Sequence, residues 1–310
     1  MRIMVAGGGA FGKEHLKTLT AIGGMQLAVA ETREAELARL GGMFRLFDRD
    51  VDAFALLDRF APDGIVVATP AEAHAPLAGA ALERGIPVLV EKPVTPDAAT
   101  MRELEALAAR SSAFLQPGHI LRFSDGHRRL RDILAAGEIG EILHFRSRRY
   151  RDASHAERYT DIDPVLMTMI HDIDLALWFD GGTAASARAT RRPRATARSL
   201  TVAQLESTGG ATWQLSTAWL HPGIECPPDR VEIVGTEGSA ELSAASHIDV
   251  FGRAHRRIEL AADDDPLRTE LETFLSGIRA GISQAPVTPH DALHGLLAAE
   301  MILDTLDGRE

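Results

Sequence analysis

The chain has 310 residues, of which 45% are hydrophobic and 25% charged, and its formal net charge at pH 7 is −11. This balance favours two folded domains in a soluble protein, and the negative charge argues against nonspecific binding to nucleic acid or to an anionic membrane surface. The sequence has one cysteine, Cys226, and it has neither an apolar run long enough to cross a membrane nor a signal-peptide core at its start. We therefore expect a cytoplasmic protein.

The first third of the sequence alternates short β-rich runs with helical patterns, which is typical of βαβ units that build a parallel sheet. At about residue 122 this alternation stops. We therefore predict an α/β domain over residues 1–121. Its predicted strands are RIMVA, QLAVAE, a weak one near RLF, GIVVAT, PVLVE and AFLQPG.

The rest of the chain contains a helix, a strand, a second helix that includes MTMIHDID, a run of strands and two closing helices. Strands in succession argue for a largely antiparallel sheet, so we predict an α+β domain over residues 122–310. We expect a shared domain interface with a cleft, and a last helix that packs back on the first domain. The predicted strands are GEILHFRSRRY, ASARATR, SLTVAQLES, ATWQLSTAWL, RVEIVG, SAELSA and HIDVFG.

A glycine-rich turn, VAGGGAFG, directly follows the first strand and opens a helix. Gly7 permits a tight turn, Gly9 lets the backbone approach a pyrophosphate, and Gly12 lets helix and strand pack closely. Ala10 and Phe11 begin the helix within the same predicted cofactor-binding turn. The pattern therefore favours dinucleotide binding over a glycine turn without a ligand.

The end of the second strand carries an acidic residue where a dinucleotide ribose is expected. Glu31 would accept hydrogen bonds from both ribose hydroxyls and repel a 2′-phosphate, which favours NAD. Arg33, two residues later, could instead pair with that phosphate. The sequence thus predicts NAD or NADP, with a slight preference for NAD.

Two further segments, ATPAEAH and VEKPVT, follow the fourth and fifth strands at the same carboxyl edge of the sheet. Together with the glycine turn, GHILRF, GEIGEIL, HDID and VTPHDALHGLLAAEMI, they make the chain resemble the glucose-fructose oxidoreductase / inositol dehydrogenase (Gfo/Idh/MocA) family. The resemblance implies an N-terminal Rossmann domain with a doubly wound parallel sheet, followed by an α+β domain with a large, mostly antiparallel open sheet. It also implies NAD(P), hydride transfer at a hydroxyl of a sugar, cyclitol or related small molecule, and a homo-oligomeric dimer or tetramer.

In this resemblance Lys92 of the E-K-P segment is catalytic. A lysine at a strand end beside the nicotinamide can hydrogen-bond the reacting oxygen and stabilise its alkoxide character. Pro93 is expected to fix its direction through a cis bond, and Glu91 to orient the loop or touch the ribose. The alternative is a surface lysine paired with Glu91.

Other cofactor and substrate residues follow from the same register. Thr69 and Pro70 are expected to pass under the cofactor. His74, which begins the next helix, either contacts the ligand or is hydrogen-bonded locally. Arg122 either reaches the substrate or braces the domains.

The helix that contains MTMIHDID has apolar residues at helical spacing and is predicted to be largely buried. Asp172 and Asp174 lie one and three positions from His171, so the three side chains do not converge and we predict no metal site. In the family the equivalent of His171 is an acid/base, although a buried histidine can also be a bonded core residue. Asp174 matches a family position with a structural role.

The chain departs from the family pattern at Met167, one helical turn before His171, where an aspartate is common. Tyr159 or Asp163 would then have to replace that partner, and Tyr159, Met167 and Arg122 become candidate substrate contacts. The departure favours substrates such as sugar nucleotides over a simple inositol or glucose. Arg146 or Arg148 in FRSRRYR would favour an anionic substrate if they faced the cleft, but a solvated or oligomer-facing strand is the simpler interpretation.

Two other functions compete with the dehydrogenase. A catalytically silent dinucleotide-binding sensor would keep the Rossmann half and lose chemistry through changes such as Met167. A metal-dependent enzyme would use HDID as ligands. The presence of both Lys92 and His171 argues against the sensor.

Overall fold

The computed structural model describes residues 1–193, 196–223, 225–244 and 246–309. The chain divides into two compact units. The first unit combines Met1–Ile120 with Asp265–Leu293, and the second combines Leu121–Asp264 with the residues from His294 onward.

The first unit is built on a parallel sheet of six strands in the order β3-β2-β1-β4-β5-β6. Its strands read as nearly continuous apolar runs because helices cover both faces. This order reverses between β1 and β4, which places a ligand crevice at the carboxyl ends of the strands. The strands are β1 (Arg2–Ala6), β2 (Gln26–Ala30), β3 (Asp48–Asp50), β4 (Gly64–Val67), β5 (Val88–Glu91) and β6 (Leu115–Gly118). The helices are α1 (Ala10–Ile22), α2 (Glu34–Met43), α3 (Ala53–Phe60), α4 (His74–Glu83) and α5 (Ala98–Arg110).

The second unit is built on an eight-stranded sheet in the order β14-β13-β12-β11-β7-β10-β9-β8. Among the described residues of this sheet, the β7–β10 pair is the only parallel one. The strands are β7 (Ile142–Asp152), β8 (Ala184–Arg192), β9 (Leu200–Ser207), β10 (Thr212–His221), β11 (Arg230–Gly235), β12 (Ser239–Ser243), β13 (His247–Phe251) and β14 (His255–Glu259). Its helices are α6 (Asp125–Ala135), α7 (Ser154–Arg158) and α8 (Ile170–Asp180). Of the two closing helices, α9 (Pro266–Ala280) belongs to the first unit, and α10 (Pro289–Asp307) begins in the first unit and ends in the second.

The predicted fold class, a parallel-sheet domain followed by a mostly antiparallel one, is confirmed. The domain boundary differs from the prediction, since Asp265–Leu293 lies in the first unit although 122–310 was assigned to the second domain. The physical reason is the apolar stripe of α9, whose Leu271, Phe274 and Leu275 pack into the core formed by β1 and α1. An amphipathic helix buries its stripe wherever an apolar face is open, irrespective of distance along the chain.

The weak third strand predicted near RLF is present directly after it, at Asp48–Asp50. The strand at His255–Glu259 was not predicted. In addition, a π-helical turn over Val165–Met169 precedes α8, where the pattern predicted one continuous helix. None of the helices in the described residues is both long enough and apolar enough to cross a membrane.

Candidate active site

The turn between β1 and α1 has the geometry that a dinucleotide requires. Gly7 adopts φ +100°, and a Cβ there would lie 2.3 Å from the Ala68 carbonyl oxygen. A Cβ on Gly12 would lie 2.0 Å from the Gly7 oxygen, so this position must be glycine for helix and strand to pack. At Gly9 no described atom lies within 4 Å of an added Cβ, which leaves room for a phosphate beside the backbone and the unpaired N–H groups that begin α1. Ala10 opens that helix, and Phe11 is exposed.

Glu31 follows β2 and lies against the glycine turn. Its Oε2 accepts a bond from the Gly8 N–H at 2.9 Å, and its carboxylate is bound by the Arg33 guanidinium at 2.9 and 3.1 Å. The side-chain bond from Arg33, together with the backbone N–H bonds and against the effect of burial, lowers the pKa of Glu31 to about 2. The carboxylate is therefore ionised, and Arg33 is engaged with it rather than extended alone towards a ligand.

The loop after β4 is tied to the loop after β5 by a histidine. His74 at the start of α4 is buried, with Nε2 2.7 Å from the Thr69 carbonyl oxygen and Nδ1 3.0 Å from the Pro93 carbonyl oxygen. Burial lowers the pKa of His74. These bonds agree with the local role that the sequence left open. Pro70 is exposed at the start of a short 3₁₀ turn, and the Thr69 hydroxyl is buried without a hydrogen bond to any residue that the structure describes.

Lys92 follows the end of β5 and is half-buried. The Lys92–Pro93 bond is cis, as the family pattern predicted. Glu91 at the strand end accepts the Lys92 backbone N–H at 3.2 Å through Oε2, and its Oε1 lies 2.7 Å from Nε2 of His15 on α1. The sequence did not single out His15, although its place three residues after Gly12 puts it one turn into the same helix.

On helix α8, the two aspartates that neighbour His171 in the sequence are bound to arginines. Asp172 accepts two bonds from Arg149 on β7, at 3.0 and 3.2 Å, and Asp174 accepts bonds from Arg122 at 2.7 to 3.1 Å. His171 itself is half-buried. Among the described residues, no group of three or more histidine, cysteine, aspartate or glutamate side chains is arranged to hold a metal ion. The aspartates thus anchor the helix, and Arg122 has a structural partner in the same unit.

The Arg149–Asp172 pair is part of a buried ionic network that the sequence did not reveal. Arg149 and Arg151 also bind Asp229, which lies just before β11. Burial, assisted by the Arg149 charge, lowers the pKa of the neighbouring His127 to about 3, so its ring is neutral. Alternation along β7 could have indicated that Arg149 and Arg151 share a face, but one sequence does not say which face is buried.

The candidates to replace the missing aspartate partner have contacts of their own. Met167 is half-buried within the π-helical turn. Asp163 binds Arg191 on β8 at 2.6 and 2.7 Å, and the Tyr159 ring packs against Trp219 with 6.2 Å between ring centres. On the other face of β7, the Arg146 side chain is exposed and Arg148 lies over the Tyr150 ring. The solvated-strand interpretation therefore fits Arg146.

Comparison with known protein families agrees with this arrangement. Residues 1–119 match a model described as an oxidoreductase family with an NAD-binding Rossmann fold, and residues 127–241 match the Gfo/Idh/MocA C-terminal domain. The chain belongs to the Gfo/Idh/MocA family. The N-terminal match covers the glycine turn, Glu31, Thr69 and Lys92, so these candidate cofactor residues lie inside the matched Rossmann region.

Similar members of the Gfo/Idh/MocA family include two curated bacterial proteins. An inositol 2-dehydrogenase of Leifsonia xyli is 34% identical over 194 residues, which span 60% of this chain and 55% of the relative. Inositol 2-dehydrogenase 4 of Saccharopolyspora erythraea is 29% identical over 295 residues, or 91% of this chain and 86% of the relative. Among solved structures, UDP-N-acetylglucosamine 3-dehydrogenase from Acidithiobacillus ferrooxidans is 25% identical with a TM-score of 0.86, and the match covers 100% of this chain and 98% of that one.

Proposed function

We propose that the chain is an NAD(P)-dependent oxidoreductase that transfers a hydride between nicotinamide and a hydroxyl or carbonyl carbon of a sugar, cyclitol or sugar-nucleotide-like substrate. The observation that supports the proposal is the set of residues at the carboxyl edge of the parallel sheet. The carboxyl ends of β1, β2, β4 and β5 bring together the glycine turn, the ionised Glu31, the Thr69 loop and Lys92. Inositol 2-dehydrogenases and a sugar-nucleotide dehydrogenase among the relatives supply the substrate class.

The residues at this edge fit a dinucleotide. The open space at Gly9 and the start of α1 would receive the pyrophosphate, and the buried Thr69 hydroxyl has hydrogen-bonding capacity to spare within the described chain. When bound, the nicotinamide supplies the hydride acceptor or donor. We propose NAD as the preferred cofactor, because a 2′-phosphate would meet the Glu31 carboxylate while Arg33 is already bound to it.

Two residues would handle the proton that accompanies the hydride. The Lys92 ammonium would donate a hydrogen bond to the reacting oxygen and stabilise its negative charge, and the His171 ring would exchange the proton of the substrate hydroxyl. Burial of α8 and the two arginine–aspartate pairs hold the His171 backbone in place. We propose Tyr159 and Met167 as substrate contacts, whereas Arg122 is bonded to Asp174.

The proposal also includes a cytoplasmic homo-oligomer, a dimer or tetramer. A chain with one cysteine suits a reducing compartment, and the large eight-stranded sheet offers a surface on which two copies could pair. Light scattering of the purified protein would measure the number of subunits, and a monomer at micromolar concentration would contradict this part.

A thermal-shift screen tests the function directly. NAD should raise the melting temperature more than NADP does, because a ligand that binds only the native state stabilises it. Inositols, sugars and nucleotide sugars are then added with saturating cofactor, and the true substrate should raise the melting temperature further and reduce the bound cofactor in a single turnover. A protein that binds NAD but reduces it with none of these substrate classes would favour the silent sensor.

A further inference from the structure

Four polar side chains form a cluster inside the first unit, at the end of the strand that leads to Lys92. Each of them is at most 7% exposed. On neighbouring strands Leu89 pairs with Gln116, and Glu91 lies two residues after Leu89, so Glu91 and Gln116 point to the same face of the sheet. Helices α1 and α9, which pack on each other, cover that face. The buried cluster consists of His15 on α1, Glu91 on β5, Gln116 on β6 and Glu270 on α9.

The two carboxyl groups of this cluster differ in their partners. Glu91 is bonded to the His15 ring at 2.7 Å and to the Lys92 N–H at 3.2 Å. Neither oxygen of Glu270 accepts a hydrogen bond from any residue that the structure describes. Hydrogen bonds from N–H groups favour a carboxylate, whereas burial without them favours a neutral carboxylic acid. The geometry alone thus assigns the charge to Glu91 and a proton to Glu270.

The surrounding charges support this assignment. Burial first, and then the negative charge of Glu91, raise the pKa of Glu270 well above its ordinary value. Among the described residues, Glu91 interacts with His15 of α1, with His74 of α4 and with Glu270 of α9. Two buried carboxylates on one face would repel each other if both were ionised, so the pair holds one proton.

We propose that Glu270 is a positioning residue for Lys92. Glu270 has this role because its carboxyl group stays uncharged. While Glu270 is neutral, Glu91 keeps its bonds to His15 and to the Lys92 peptide. When alkaline solution removes the Glu270 proton to solvent, repulsion displaces Glu91 and with it the Lys92 backbone, and turnover falls. This positioning role rests on the proposed catalytic function of Lys92. The protonation of Glu270 does not depend on that function.

Stability measured against pH tests the buried proton without any substrate. An acid whose pKa is raised in the folded protein loses stability as the pH rises above its ordinary value of 4.5, because the unfolded chain ionises first. Glu270→Gln and Glu270→Met remove this loss, so each should gain melting temperature relative to the parent as the pH rises from 5 to 8, by about 2 °C or more. Glu272→Gln, which removes an exposed carboxylate from the same helix, is the matched control and should show no such trend. A gap between parent and Glu270 variants that does not change with pH would overturn the proposal.

Turnover measured against pH tests the positioning role. The parent should lose up to tenfold in turnover number per pH unit on the alkaline side, and both Glu270 variants should hold their rate at least one pH unit further while Glu272→Gln follows the parent. Equal alkaline loss in all four proteins would overturn the role of Glu270. Turnover retained by Lys92→Ala would instead refute the proposed catalytic role of Lys92, and the positioning role with it, while the pH-dependent stability gap would still be observed.

Discussion

Lys92 is the residue on which the proposed chemistry depends most. If its ammonium stabilises the developing alkoxide, Lys92→Ala should lower the turnover number by about 10²-fold or more, and dinucleotide affinity should change by less than about threefold. Steady-state kinetics and a fluorescence titration with NAD measure the two quantities. Lys17→Ala, on the exposed face of α1, is the control and should leave both unchanged. Equal turnover in the two variants would remove Lys92 from the mechanism.

Glu31 should decide between the two cofactors. Replacing it by alanine removes the ionised carboxylate and releases Arg33, so we expect NADP to gain at least about tenfold in affinity relative to NAD. Titrations of the parent and of Glu31→Ala with both dinucleotides give the ratio. An unchanged ratio would mean that the ribose is recognised elsewhere.

The buried pair of Arg122 and Asp174 shows why a polar residue in a motif need not touch a ligand. Both side chains are almost fully buried, so Asp174→Ala removes a buried carboxylate that balances the guanidinium charge and should lower the free energy of unfolding by about 3 kcal/mol. Denaturant titration measures this loss. Asp132→Ala on the exposed face of α6 is the control, with an expected change within about 0.5 kcal/mol. A small effect at Asp174 would contradict the structural role and return Arg122 to the list of substrate contacts.

Helix α1 and strand β1 approach each other so closely that a methyl group cannot be added between them. In Gly12→Ala the new Cβ would overlap the Gly7 carbonyl, so the helix must shift, at a cost of about 1–3 kcal/mol, and NAD affinity should fall. Thermal melting and an NAD titration report the two effects. Gly42→Ala, at the end of α2 with no described atom near the added carbon, should change neither. If both variants bound NAD as the parent does, the turn would not be the pyrophosphate site.

Strands with a strong apolar pattern were predicted correctly from the sequence, and a strand with a weak pattern was missed. Strands β1, β2, β4 and β5 are buried runs bounded by turns, so sequence alone located them and, with them, the glycine turn, Glu31 and Lys92. Strand β14 has one partly buried side chain among exposed ones, and hydrogen bonds to β13 rather than burial hold it in place.

The partners of the site residues were less predictable than the site residues themselves. Glu91 and His15 are 76 positions apart in the sequence, and Glu91 and Glu270 lie still farther apart. No local period relates such positions. The only sequence signal for Glu270 is a carboxyl group within the apolar stripe of α9, beside Leu271 and Phe274. Such a residue in a buried stripe is worth noting, because it must be neutral or paired.

At the scale of the whole molecule, the first unit is discontinuous, because it is built from two separate segments of the sequence. Residues 1–121 alone should not fold stably, because they lack the α9 side chains that complete the core. A protein in which a flexible linker joins residues 1–121 to 265–293 should recover cooperative melting and bind NAD. As the matched control, Phe274→Ala in the same fusion should lower its free energy of unfolding by about 3–5 kcal/mol. Cooperative unfolding of residues 1–121 by themselves would contradict this division.

The divided first unit also sets the order of events on the ribosome. After Ile120 has been made, the ribosome must add Leu121–Asp264 before α9 begins to emerge. At ordinary bacterial and eukaryotic elongation rates this takes about 7–30 s, during which α1 alone covers the apolar face of the nascent parallel sheet that α1 and α9 later share. We therefore expect the newly made N-terminal sheet to be a substrate for chaperones, and the cofactor site to mature only when translation is nearly complete.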